Sequence, residues 1–150
     1  ALIEVAEDRV EKLTGLILHT KILEFIYDEV GVSIEVPRSP LQEIMKIETI
    51  DDTGVKTIVS SGLYNVDISG QRGRIMLKDG CVWPTHRGFA SFIITAKVGY
   101  GDTAEAVPAA LKQAVLVALA ILYENRGEMD EGKIMSAISA ICQPYRIFRF

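Results

Sequence analysis

Hydrophobic residues along this chain follow two different periods, one helical and one extended. Near the start, five apolar residues recur at helical spacing: Leu2, Val5, Ala6, Val10 and Leu13. This spacing predicts an amphipathic helix over residues 1–15, closed by Gly15. Residues 16–100 are rich in Ile, Val, Thr, Phe and Tyr between turn-forming residues, which predicts strands. Residues 108–142 are helical again, and residues 143–150 are predicted to form an extended tail.

The order of these elements predicts an α+β fold, with helices at both ends packed with a central strand-rich region of antiparallel sheet. A chain of 150 residues fits a single domain. The stretch "ILHTKILEFIY" is predicted to form one long strand over residues 17–27. The segments "DDTG" and "GQRG" are predicted to be tight turns between paired strands. The first helix has no capping residue, so we expect a further N-terminal segment ahead of it.

The segment "AVLVALAILY", residues 114–123, contains no polar side chain. A helix that is apolar on all sides is expected to be buried on all sides. Three coverings stay open: the chain's own domain, an N-terminal segment, or a neighbouring subunit. The candidates for packing against a neighbouring subunit are Val115, Ala118, Leu119 and Leu122.

Charge and composition exclude several functional classes. A net charge of −4 and a pI of about 5.2 argue against a general nucleic-acid binder. Cys81 and Cys142 are too few for a disulfide framework, so we expect reduced thiols. Residues 114–123 form the longest unbroken apolar run, about half of what a membrane-spanning helix needs. We therefore expect no membrane insertion.

Residues able to carry chemistry are scattered. His19 lies in a predicted strand, where a surface or satisfied residue is more typical than a base, and the spacing of Cys81 and His86 matches no metal or nucleophile site. "GYGD" lacks the lysine and the third glycine of phosphate-binding loops. Arg72 and Arg74 in "GQRGR" fit a polar hairpin tip better than an anion site. We expect no enzyme activity, no catalytic residue, no metal and no cofactor. The alternative from this class is a small enzyme with its site in the loops from "CVWPTH" to "GYGD".

Four stretches, taken together, resemble one protein family: "PRSPLQEIMKIETIDDTG", "YNVDISGQRGRI", "FIITAKVGYGDTAEAVPAALKQAVLVALAILYENRGE" and the closing "PYRIFRF". In this order they resemble the head–tail connector (adaptor) proteins of tailed phages and of phage-like gene transfer particles. The resemblance spans residues 4–150, and it implies a further helix ahead of residue 4. It implies a single connector domain over residues 1–150, located in a virion or phage-like particle that assembles in the bacterial cytoplasm.

The resemblance implies a structural role. Such adaptors form a ring, a dodecamer by this likeness, under the portal of a DNA-filled capsid. They extend the channel, through which DNA passes without specific binding, and they support the stopper or tail proteins. A tail-side stopper or tube ring component is the nearest alternative. In related adaptors the C-terminal segment engages the portal, so the candidates for contact with the portal protein are Pro144, Tyr145, Arg146, Ile147, Phe148, Arg149 and Phe150.

Two expectations concern surfaces. The apolar tail gains most free energy in a groove of a partner, although adding a strand to its own sheet remains the alternative. Four acidic residues share one face of the first helix: Glu4, Glu7, Asp8 and Glu11. This face is a candidate for a channel wall that repels DNA phosphates.

Overall fold

The computed structural model describes residues 2–125 and 131–147. The chain divides into two compact units, which we call the helical unit and the β unit. The helical unit combines the chain up to His19 with the chain from Tyr100 onward, and the β unit comprises Thr20–Gly99. Helices at both ends and antiparallel sheets between them confirm the predicted α+β class. The single connector domain stays a prediction.

The helical unit contains α1 (Leu2–Thr14), α2 (Ala109–Glu124) and α3 (Glu131–Cys142). Gly15 follows α1 with a φ of 79°, a backbone conformation that favours glycine, and so ends the helix as predicted. The three helices share one apolar core, whose fully buried members are Ala6, Val10, Leu111, Ala114, Ala118, Ile138 and Cys142. No helix in the described residues is long and apolar enough to cross a membrane.

The β unit contains seven strands: β1 (Lys21–Tyr27), β2 (Ser33–Glu35), β3 (Leu41–Ile50), β4 (Lys56–Ile58), β5 (Tyr64–Asp67), β6 (Arg74–Leu77) and β7 (Phe92–Val98). They form a four-stranded sheet in the order β1-β7-β3-β4 and a three-stranded sheet in the order β2-β6-β5. All pairs are antiparallel. Trp83 connects the sheets, since its ring lies 5.0 Å from Phe92 of β7 and 6.1 Å from Tyr64 of β5.

Both predicted hairpins are present. Between β3 and β4, the Asp51 carboxylate accepts hydrogen bonds from the Thr53 hydroxyl (2.6 Å) and the Val55 N–H (3.0 Å). The Thr53 hydroxyl bond is the main reason that the pKa of Asp51 lies below its usual value. Between β5 and β6, the Asp67 carboxylate accepts a hydrogen bond from the Ser69 hydroxyl. Each turn is thus closed by its own aspartate.

The long strand predicted over residues 17–27 is wrong in its first part. Only Lys21–Tyr27 is strand, while His19 makes an isolated parallel bridge with Gly101. Leu16 and Leu18 join the core of the helical unit, and the Glu11 carboxylate accepts the Leu18 N–H at 2.9 Å. Strand-forming side chains therefore end up beside a helix, because tertiary packing overrides local propensity.

Candidate interaction surfaces

The apolar helix α2 is covered by its own unit on one side only. Val115, Ala118 and Leu122 are buried in the core of the helical unit, and Leu119 is half-buried against it. Side chains enclosed by their own chain offer little surface to a neighbour, and the assignment of these residues to subunit packing stays a prediction. Of the three coverings left open for α2, its own unit supplies only part.

The exposed row of α2 is also apolar. Leu116 is 63% exposed and Tyr123 59% exposed, and Ala120 lies between them. We call these three residues the α2 outer face. The sequence contained a signal for it, since polar Lys112 and Glu124 mark the two ends of the same i, i+4 row. Leu116 and Ala120 are the two residues of this row between Lys112 and Glu124.

A shallow groove of about 220 Å³ lies beside the α2 outer face. Ile3, Val107 and Leu116 line it with apolar surface, and Lys112 also contributes to its lining. His19 lies at the groove too, where its Nε2 is 2.9 Å from a Glu7 carboxylate oxygen. This pairing agrees with the interpretation of His19 as a satisfied residue and accounts for its position without catalysis.

Acidic residues of the face predicted on α1 have partners within their own chain. Lys12 lies 2.9 Å from Asp8, and this bond is the main reason that the pKa of Asp8 is lowered. Arg9 pairs with Asp8 and also with Glu131 of α3. Glu7 pairs with His19, as described above. These contacts offset part of the negative charge of this face, and its role as a channel wall that repels DNA stays a prediction.

The C-terminal segment starts as part of the helical unit. Gln143–Tyr145, which includes Pro144, forms a short 3-10 helix, and extended backbone begins at Arg146. Tyr145 and Ile147 pack against the helical core, and the Ile147 N–H donates to the Thr14 carbonyl at 2.9 Å. The predicted tail therefore begins three residues late, and its described part joins no sheet. Phe148, Arg149 and Phe150 lie outside the described residues.

The loop residues considered for catalysis have structural partners. His86 Nδ1 lies 3.0 Å from the Ser91 hydroxyl, which donates to the Asp28 carbonyl at 3.2 Å. Ser91 is fully buried, so a substrate has no access to this hydroxyl. Burial raises the pKa of Cys142, which keeps that thiol protonated and unreactive. No group of three or more metal-ligating side chains occurs in the part of the chain that the structure describes.

The arginines of "GQRGR" are also engaged. Arg74 lies 2.8 Å from Asp67, and Arg72 lies 3.3 Å from Glu35. Arg74 stands between Glu35 on β2 and Asp67 on β5 in one row of the three-stranded sheet. Two acids therefore balance two bases here, and the hairpin-tip interpretation accounts for both arginines.

The "GYGD" segment is a close turn between elements. Gly99 has a φ of 114° and donates its N–H to the Pro40 carbonyl at 2.8 Å. At Gly101, an added Cβ would lie 2.5 Å from the Ala106 Cβ. These glycines are explained by backbone conformation and close approach, without a phosphate ligand.

Replacing Gly101 with alanine is expected to lower the free energy of unfolding by about 1–3 kcal/mol, because the new methyl group overlaps Ala106. Chemical denaturation followed by circular dichroism measures this change. Gly31→Ala is the matched control, since an added Cβ there meets nothing within 4 Å. Equal stability of the two variants would contradict the close approach at Gly101.

Comparisons with known proteins point to one kind of particle. No protein-family model matches the chain, and no curated protein matches it. A chain in the neck of the native gene transfer agent (GTA) particle, computed with C12 symmetry, matches with a TM-score of 0.81 and 22% identity over 99% of this chain and 81% of that chain. A chain in the neck of the empty GTA particle, computed with C6 symmetry, matches with a TM-score of 0.79 and 24% identity. The match covers 99% of this chain and 76% of that chain. A chain of the native GTA virion matches with a TM-score of 0.75 and 24% identity, and the match covers 99% of this chain and 76% of that chain.

These matches show that the whole chain has the fold of a chain found in GTA necks. They agree with the resemblance to head–tail connectors drawn from the sequence motifs. At 22–24% identity the likeness shows the fold, and the role of this chain is argued separately below.

Proposed function

We propose that this protein is a structural ring component of the neck of a phage-like particle, a head–tail connector that attaches to the portal. The observation that carries the proposal is the TM-score of 0.81 over 99% of the chain to a neck computed with C12 symmetry. A ring of copies would extend the DNA channel and support the stopper or tail proteins. This role needs no catalytic residue and no cofactor.

The exposed apolar surface supports a role in assembly. Leu116 and Tyr123 each leave more than half of their side chains in contact with water. An apolar row on a helix that is otherwise packed is a typical protein contact surface. Cyclic assemblies join one patch of a subunit to a different patch on the next. The α2 outer face would supply one such patch, and Leu119 borders it.

The C-terminal residues would supply the contact with the portal. Ile147 is anchored to Thr14 of the helical unit by a main-chain hydrogen bond. Phe148, Arg149 and Phe150 follow directly and carry two aromatic rings and one guanidinium group. Such residues bind grooves lined with apolar side chains and carboxylates. A ring would present many copies together and so raise the strength of attachment.

Deleting residues 148–150 is expected to abolish attachment to the portal and to leave the fold intact. Burial of two phenylalanines contributes about 3–6 kcal/mol, which corresponds to at least a hundredfold in affinity. Electron microscopy of particles from cells producing the shortened chain measures occupancy of the neck. Thermal unfolding of the purified variant measures its stability.

Deletion of residues 146–150 is the companion variant. It also removes Ile147, so it is expected to lower the stability of the helical unit. Full occupancy of the neck without residues 148–150 would contradict the portal contact and favour the stopper alternative. Absence of the complete chain from particle necks would contradict the connector role itself.

A further inference from the structure

Both edges of the four-stranded sheet are open. Strand β1 forms one edge and β4 the other, and no strand among residues 2–125 and 131–147 pairs with the outer side of either. Exposed isoleucines lie on both edges: Ile22 and Ile26 are each 59% exposed, and Ile58 is 66% exposed. Open edges of this kind readily pair with another strand, so proteins normally protect them.

The hydrogen-bond pattern fixes which main-chain groups point outward on β4. The Val59 N–H donates to the Ile47 carbonyl at 2.8 Å, and the Asp51 N–H donates to the Val55 carbonyl at 3.1 Å. Main-chain groups alternate sides along a strand. Odd-numbered residues of β4 therefore bond to β3, and the main-chain groups of Lys56 and Ile58 point away from the sheet.

The same reasoning applies to β1. The Ile50 N–H donates to the Ser91 carbonyl and the Gly99 N–H to the Pro40 carbonyl, both at 2.8 Å. Odd-numbered residues within β7 thus bond to β3 and even-numbered ones to β1. Ser91, just before β7, also donates its N–H to the Tyr27 carbonyl of β1 at 3.1 Å. Since Phe25 lies opposite Ile94, the odd-numbered residues of β1 bond to β7. The main-chain groups of Ile22, Glu24 and Ile26 point outward.

The two edges match each other in register. One row across the sheet runs Ile26, Ile93, Glu48, Ile58, so the isoleucines at its two ends lie on the same face. The row through Ile50 and Ser91 has Lys56 at the β4 end and Asp28 just beyond the β1 end. β1 and β4 also run in opposite directions within the sheet.

We propose that β4 of one copy pairs antiparallel with β1 of the next copy, so that neighbouring four-stranded sheets join edge to edge with Ile58 opposite Ile26. This inference rests on the proposed ring for its second copy. In this register the outward main-chain groups of Ile58 and Ile26 face each other. Their side chains meet on one face, and Lys56 lies opposite Asp28 on that same face. Lys56 has no ion pair within the described chain, so this contact would give it an acidic partner.

The pairing would be heterologous, because one edge meets a different edge. Such a contact leaves each copy with one edge still open, and only a closed ring satisfies them all. The main chain supplies the affinity, and the isoleucine and charge contacts fix the register.

Cysteine cross-linking tests the pairing. The variant carries Ile26→Cys, Ile58→Cys and Cys81→Ser, the last because Cys81 is a half-buried free thiol. Facing residues in a hydrogen-bonded antiparallel pair have Cα atoms about 5.5 Å apart, within the range of disulfides. Mild oxidation of particles and of the concentrated purified protein is expected to give a ladder of covalent multimers. Each single-cysteine variant is expected to stay free of the ladder.

The matched control is Ile22→Cys with Ile58→Cys in the same background. Ile22 has the same exposure as Ile26 but lies about 13 Å along the strand from it, too far for a disulfide in the proposed register. A ladder of multimers from this control would overturn the register. Covalent products of the Ile26→Cys, Ile58→Cys variant that stop at dimers would overturn the head-to-tail arrangement. An assembled ring in electron micrographs without any ladder would overturn the edge pairing and leave the ring standing. Absence of a ring would contradict the proposed function.

Discussion

Replacing Ala118 with glutamate is expected to unfold the helical unit. Ala118 has no exposed surface and lies in the core shared by α1, α2 and α3. A carboxylate placed there has no route to water and no cationic partner in the core. The cost exceeds about 4 kcal/mol, a large share of the roughly 5–15 kcal/mol that stabilises a typical domain. Far-ultraviolet circular dichroism is expected to show loss of helix.

The same substitution two residues later provides the control. Ala120 lies on the α2 outer face, where a glutamate side chain reaches water directly. We expect Ala120→Glu to change the free energy of unfolding by no more than about 0.5 kcal/mol. If the α2 outer face contacts a neighbouring subunit, this variant is expected to fold normally and to assemble poorly. Equal unfolding of both variants would contradict the orientation of α2 described above.

The main elements of the fold could be predicted because local sequence determines them strongly. The helix over residues 1–15 corresponds to α1 (Leu2–Thr14), since its apolar stripe and Gly15 both mark it. The turn residues of "DDTG" and the glycines of "GQRG" predict the two hairpins, and both are present. These signals depend on residues close together in sequence, so they survive without knowledge of tertiary contacts.

The orientation of α2 could not be read in the same way. Every side chain over residues 114–123 is apolar, so the only sequence signal for its orientation comes from the flanking Lys112 and Glu124, outside that run. The answer depends on where α1 and α3 pack, which is a tertiary property. The sequence therefore does not separate residues such as Val115, Ala118 and Leu122, which their own unit buries, from residues available to a neighbour.

The start of the C-terminal tail was misplaced for a related reason. Pro144 correctly marked the end of the last helix, but a proline also fits the first turn of a 3-10 helix. The hydrogen bond from Ile147 to Thr14 joins residues far apart in sequence, and no local pattern reveals it. The open edges of the sheet were equally invisible, because strand order follows from long-range pairing.

Replacing Phe92 with alanine is expected to cost about 3–5 kcal/mol in the β unit. Phe92 is fully buried on β7, and its ring lies 5.0 Å from Trp83 in an edge-to-face arrangement and 6.1 Å from His86. Truncation therefore leaves a cavity where the aromatic contact joins the two sheets.

Trp83 is the only tryptophan of the chain, so its fluorescence during chemical denaturation reports the stability of this contact region directly. Phe89→Ala is the matched control: Phe89 is 64% exposed, and its ring contacts the Arg87 guanidinium at 4.5 Å. Loss of that cation–π contact at the surface costs at most about 1 kcal/mol. A Phe92→Ala variant no less stable than Phe89→Ala would contradict the contribution of the buried Trp83–Phe92 contact to the stability of the β unit.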